Sequence, residues 1–199
     1  MSDDLILASA SEIRQQLLRN AGVNFSVELA KVDEESMRQA LEAEAASPRD
    51  IADALAEMKA LKVSGKHPGS MVIGCDQVLD FEGGILAKPE TPQEAQDQLH
   101  RMRGKRHDLI SAVVICEAGR PVWRLVGSVK MTMKNVSDAY LQGYITRNWS
   151  SIRHSVGAYK LEEEGVRLFE RVEGDYFTVL GLPLLGLLSY LEQRGVLQQ

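Results

Sequence analysis

The stretch Val72-Ile73-Gly74-Cys75-Asp76-Gln77-Val78-Leu79 constrains this chain more than any other. It opens as a short apolar run bounded by turn residues, the pattern of a strand covered on both faces. A carboxylate and an amide, Asp76 and Gln77, stand in its middle. An ionised carboxylate withdrawn from water is costly unless a cation or a metal meets it, so the fold has to supply Asp76 with a partner. After a turn at Gly83-Gly84 the chain returns through Leu86-Ala87-Lys88-Pro89, and the proline biases Lys88 to an extended backbone. A strand, a turn and a return segment can bring Lys88 and Asp76 to one cleft. On these two residues alone, a structural ion pair and a functional site read equally well.

At 199 residues the chain can bury one sizeable core. It is 44% hydrophobic and 26% charged, which places it among ordinary globular proteins. A formal charge of −5 argues against nucleic-acid polymers and anionic membranes as partners, since both demand a basic face. A small anionic ligand in a locally basic cleft remains compatible with it. Cys75 and Cys116 fall in apolar runs, as buried thiols of a reducing compartment do. No run approaches a membrane span, and Met1-Ser2-Asp3-Asp4 is acidic, unlike a secretion signal. The expectation is a cytoplasmic protein.

Residues 5–8 read as a first strand and Ser9-Ala10-Ser11 as a polar loop, with Ser11 capping a helix over 12–21 that Gly22 closes. A helix N-terminus favours anions, and Arg14 in its first turn suits a phosphate; an ordinary cap with a surface arginine fits the loop as well. A second strand is expected within 24–30. Asp33-Glu34-Glu35 begins a polar helix, either as a solvated start or as oxygen ligands for a divalent metal. Ser47-Pro48 opens another helix, with an apolar stripe of Ile51, Ala54, Leu55, Met58 and Leu61. Lys59 lies beside that stripe in line with Ala52 and Ala56, placed to snorkel or to reach a cleft.

Thr91-Pro92-Gln93-Glu94 is a capping box, and Lys105-Arg106-His107 reads as the basic end of the helix it starts. A hairpin is expected over 109–116 and 121–126, a separate strand over 129–134, and a helix capped by Ser137. Strands over 156–161, 166–172 and 176–180 precede a last helix burying Leu184, Leu185, Leu188 and Leu191. Glu162-Glu163-Glu164 reads as a solvated turn. His67, His100, His107 and His154 are scattered, which suggests neither a Ser-His triad nor a His-rich metal site.

Six pieces occur in a telling order: Leu7-Ala8-Ser9-Ala10-Ser11-Glu12-Ile13-Arg14; Asp33-Glu34; Ala56-Glu57-Met58-Lys59-Ala60; Ile73 to Val78 with Ala87-Lys88-Pro89; Gly157-Ala158-Tyr159; and Gly181-Leu182-Pro183-Leu184. Together they resemble the Maf-like nucleoside triphosphate pyrophosphatases over nearly the whole chain. The resemblance implies an α/β fold, a Maf/ITPase-like mixed sheet, elongated and curved, with helices flanking a central nucleotide cleft. It implies a single domain over residues 1–199, with two lobes around that cleft. The implied reaction is a house-cleaning hydrolysis of nucleoside triphosphates to monophosphate and diphosphate with Mg²⁺ or Mn²⁺. It allows a homodimer.

In such a site a base activates water, a metal shares phosphate charge, and cations hold the leaving group. The resemblance makes Asp76 the base and Glu34, with Asp76, the metal or water ligand, and it places Lys88 at the chemistry. It gives Ser9, Ser11, Arg14 and Lys59 to the phosphates, and Ile13, Gln77 and Glu162 to the base. The chain departs from the family where Glu12-Ile13 replace the usual Pro-Arg and Ala87 replaces a glycine. Gln77 and Glu162 are similar to the branch acting on 7-methyl-GTP, and a carboxylate suits the N1–H and N2–H₂ donors of guanine. That branch carries an aromatic where Ile13 stands. The competing expectation is a nucleotide-sensing regulator of cell division acting through a partner, which would not need a base such as Asp76.

Overall fold

A computed structural model describes residues 4–198. The strands are β1 (Asp4–Leu7), β2 (Ser26–Val27), β3 (Ser70–Phe81), β4 (Gly84–Leu86), β5 (Arg106–Glu117), β6 (Arg120–Met133) and β7 (Phe169–Glu173). The helices are α1 (Glu12–Asn20), α2 (Glu34–Ala43), α3 (Pro48–Ser64), α4 (Pro92–Met102), α5 (Asp138–Ile152), α6 (Tyr176–Val179) and α7 (Leu184–Gln193). All seven strands form one sheet in the order β2-β1-β3-β5-β6-β7, with β4 also on β3. It is a mixed α/β fold. β1 runs parallel to β2 and β3, through helical crossovers, and every later pairing is antiparallel.

The central strand, β3, has an interrupted edge. β5 pairs with Met71 to Asp80 along one side. On the other side β1 reaches only from Ser70 to Ile73, and β4 begins at Leu79. Residues 74–78 therefore have no strand neighbour there, and a ligand at this gap borders both faces of the sheet.

Alternation along β3 sorts its side chains between those faces. Met71, Ile73 and Cys75 pack with Leu17 and Leu18 of α1 and Leu184, Leu187 and Leu191 of α7. Further along the same face, Leu79 and Phe81 join Leu99 of α4 and Leu141 and Tyr144 of α5. Between these clusters lies a polar seam: Gln77 donates to Ser111 Oγ (3.0 Å) and to the Thr178 and Val179 carbonyls (3.2 and 2.9 Å). On the opposite face Val72 packs with Ile51, Leu55 and Val63 of α3 and with Ala112 and Val114 of β5.

Several elements differ from the sequence expectation. β2 has only two residues. Arg106 and His107 belong to β5, and β6 is one strand of 14 residues without a break at Gly127. A Cβ there would lie 2.9 Å from the Thr178 side chain, so Gly127 serves a close approach of the α6 turn. Residues 156–158 form a short 3-10 turn, and 176–179 a helical turn that Asp175 caps by accepting from Thr178 N. In α3 the deepest side is Ile51, Ala52, Leu55, Ala56, Lys59 and Ala60, turned from the expected stripe. In α7 Leu187 is buried and Leu185 exposed.

Candidate active site

The loop after β1 meets the edge gap first. Ser11 adopts the extended N-cap conformation but makes no side-chain cap; its backbone N–H instead donates to Ser9 Oγ (3.3 Å). Arg14, in the first turn of α1, is buried. Its Nε donates to the Gly181 carbonyl (2.7 Å), and its Nη1 to Ser9 Oγ and the Cys75 carbonyl (both 3.2 Å). Gly181 has φ +92°, and a Cβ there would press to 3.1 Å on the guanidinium. The Gly-Leu-Pro-Leu segment is thus tied to the Ser9 loop through one arginine. Nη2 makes no hydrogen bond among the described residues, which leaves donors for a ligand.

Asp76 lies on the α3 face of β3, where it is 7% exposed. Its Oδ1 is 2.7 Å from Lys59 Nζ, which also lies 2.8 Å from Glu34 Oε2. The ammonium therefore bridges two carboxylates from different elements. Lys59 reaches this point because α3 lies against β3 at Gly74. A Cβ on that glycine would meet the Ala56 carbonyl oxygen, the Ala60 nitrogen (2.7 Å) and the Ala60 Cβ (2.8 Å). Burial pushes the Asp76 carboxyl above its usual pKa, opposed by Lys59 and Arg14. Burial also pushes the neighbouring Cys75 thiol up to about 11, so it stays protonated. In the acidic cluster Asp33 is taken as the α2 cap, accepting from Ser36 N (3.0 Å), and Glu35 pairs with Arg38 (2.6 Å). Glu34 alone of the three borders the cleft.

The cleft holds about 490 Å³. Ser9, Ser11, Ile13, Arg14, Glu34, Lys59, Asp76, Gln77, Lys88 and Glu162 all line it, so the side chains that the family resemblance assigned to the site come to one place. Asp76 and Gln77 occupy opposite faces of β3, yet both border this space because it opens on the gap in the strand's edge. Two backbone carbonyls, which only accept, fix the Gln77 NH₂ and leave Oε1 as the end without a partner among the described residues. Glu12, His154, Tyr159 and Lys160 also line the cleft. Tyr159 could have been nominated from the Gly-Ala-Tyr piece; no spacing or pattern signals His154 or Lys160. Tyr159 Oη lies 2.7 Å from His107 Nε2, and burial holds that imidazole down at about 4, hence neutral.

A larger cavity of about 800 Å³ lies at the β2 end, lined in part by Phe25, Glu28, His67 and Arg194. There Glu28 is closed on Lys66 (2.9 Å) and His67 (2.5 Å). The smaller cleft brings together two converging carboxylates, Asp76 and Glu34, with Arg14, Lys59, Lys88 and Lys160, and is the candidate site.

The donor set at Asp76 and Glu34 suits a hard divalent cation, because two carboxylate oxygens already converge on one positive charge. No cluster of three His, Cys, Asp or Glu able to hold a metal occurs among the described residues. A cation here would draw its other ligands from water and phosphate oxygens, as Mg²⁺ does.

A family model described as Maf-like protein matches residues 4–194. A Roseobacter denitrificans protein named nucleoside triphosphate pyrophosphatase is 64% identical over 195 residues, covering 98% of each chain. One of the same name from Ruegeria pomeroyi is 62% identical over 197 residues, covering 99% of each. A Brucella abortus protein named 7-methyl-GTP pyrophosphatase is 45% identical over 194 residues, covering 98% of each.

Proposed function

The chain belongs to the Maf-like protein family, and from that membership we infer that it is a nucleoside triphosphate pyrophosphatase. It hydrolyses the α–β phosphoanhydride of a nucleoside triphosphate, releasing monophosphate and diphosphate. The observation that carries the residue assignment is the Asp76–Lys59–Glu34 cluster at the open edge of β3, a buried ion pair joined by an exposed carboxylate. Asp76 orients a water and takes its proton as the oxygen bonds to phosphorus and the bond to the leaving diphosphate breaks. The charge that develops on the leaving oxygen meets Lys88 and Lys59. Ser9, Ser11 and the remaining Arg14 donors hold phosphate oxygens. Asp76 and Glu34 would hold Mg²⁺ or Mn²⁺, which when bound neutralises phosphate charge.

For the base we propose a guanine-type edge. Gln77 Oε1 and the Glu162 carboxylate are both acceptors, matching its N–H donors. Ile13 presents no π face, so that position does not favour a cationic methylated ring over guanine itself. We place the enzyme in the cytoplasm, acting on free nucleotides, as one domain with a lobe on each side of the cleft. Among the described residues no helix is long and apolar enough to cross a membrane.

The test is diphosphate release from a panel of canonical and modified triphosphates, with Mg²⁺ and with Mn²⁺. Asp76→Asn should remain folded and lose on the order of a hundredfold or more in rate, since the amide cannot accept the proton. The base works ionised, so kcat/KM should rise with pH through the folded pKa of Asp76, which burial sets above the ordinary value of about 3.9. Near-normal turnover in a folded Asp76→Asn variant would dismiss Asp76 as the base.

A further inference from the structure

Lys59 is the least exchangeable-looking cation in the cleft, yet its position raises a question of charge. Its ammonium lies 2.7 Å from Asp76 Oδ1 and 2.8 Å from Glu34 Oε2, with its stem on the buried side of α3. Those two carboxylates are the ones that would hold a divalent ion. An ion held by both would share them with the ammonium at close range, and two cations so near each other repel.

We propose that Lys59 is an internal counterion that excludes divalent metal from the Glu34–Asp76 pair until a triphosphate arrives and draws the ammonium onto its own oxygens. This rests on reading that pair as the metal site. Without nucleotide, an entering ion strands a buried ammonium with no anion, which the fold resists. With nucleotide, the phosphates offer the ammonium a new partner and the ion further oxygen ligands. Arg14 cannot substitute in this exchange, because its guanidinium is already bonded to Gly181, Ser9 and Cys75. Lys88 is exposed and bridges neither carboxylate, so it leaves the pair unguarded. Metal and nucleotide then favour each other's binding by one common factor, as linkage requires.

The test is Mn²⁺ binding followed by the electron paramagnetic resonance of the free ion, with no turnover involved. Nucleotide-free protein should bind Mn²⁺ weakly. Adding α,β-methylene guanosine triphosphate should create protein-dependent binding beyond that of the analogue alone. In the nucleotide-free state Lys59→Met, or Lys59→Gln should the first variant misfold, should bind Mn²⁺ about 5- to 150-fold more tightly, the usual span of a coupling between sites. Adding Asp76→Asn to either variant should abolish that gain. Tight Mn²⁺ binding by the unmodified, nucleotide-free protein would overturn the proposal while leaving the pair a metal site, as would no gain in the folded variants. Absence of Mn²⁺ binding even with the analogue would overturn both the proposal and the metal assignment, leaving the pyrophosphatase reading to the diphosphate assay.

Discussion

Glu162, Glu163 and Glu164 are consecutive and chemically identical, and the structure uses each differently. Glu164 accepts from Arg147 (2.7 Å) and Asn148 (2.8 Å) on α5, bonds that hold its carboxyl down at about 2. Glu163 accepts from Ser151 (2.8 Å) and Lys160 (3.3 Å). These two pin the loop to α5 and leave Glu162 at the rim of the cleft, where the surrounding protein pushes its carboxyl above the usual range. If Glu162 reads a guanine edge, Glu162→Gln should selectively slow guanosine-type triphosphates. Loss of a charged acceptor facing such donors is worth about 1–3 kcal/mol, or roughly five- to a hundredfold in kcat/KM. Uracil and thymine offer one donor on that edge and should suffer less. Equal loss for all bases, or none, would remove the preference. The sequence made Glu162 a candidate only through the family resemblance, because an acidic triplet alone reads as solvated. What separates the three is α5, whose Arg147 and Asn148 no local pattern ties to this loop. Arg14 was legible as a cation at a helix start, but its bond to Gly181 spans 167 positions.

At the scale of elements, the α3–β3 contact decides where Lys59 can be. Ala52, Ala56 and Ala60 let the helix lie flat on the strand, and Gly74 removes the last obstacle. Gly74→Ala would drive a methyl into helix backbone, which cannot swing away as a side-chain tip can. We expect a loss of about 1–3 kcal/mol or more, seen as a lower urea midpoint, together with slower diphosphate release as Lys59 moves off Asp76. Unchanged stability would mean that α3 is free to shift. The apolar spacing of 47–64 announced the helix and its cap but misplaced its buried side. Large residues dominate a periodicity count, whereas this contact selects small ones. The strands expected over 156–161 and 176–180 failed for a related reason: short apolar runs do not distinguish a strand from a buried turn. There Asp175 caps a helical turn whose carbonyls are bound by Gln77 and Ser111.

Across the whole molecule, one sheet joins parts of the chain whose order in sequence gives no hint of their order in space. The family pieces were readable one by one. Their convergence on a single cleft required the β2-β1-β3-β5-β6-β7 order, which sets β1 and β4 on the same side of β3. That interrupted edge also has a consequence for the motion of protons on the backbone. Ile73 and Cys75 turn their carbonyls to the gap side, accepting from Ala8 N (2.8 Å) and Arg14 Nη1 (3.2 Å). By strand alternation Gln77 turns its amide the same way, while Asp76 turns toward β5, opposite Ala112. In deuterated buffer the Gln77 amide should therefore exchange faster than that of Asp76, one residue away in the same strand. Bound nucleotide should slow it by closing the gap to solvent. Equal protection of the two amides without ligand would mean that the edge is closed in solution. With the predicted contrast, a single amide in the centre of the sheet becomes a clock for occupancy of the cleft, readable without any turnover.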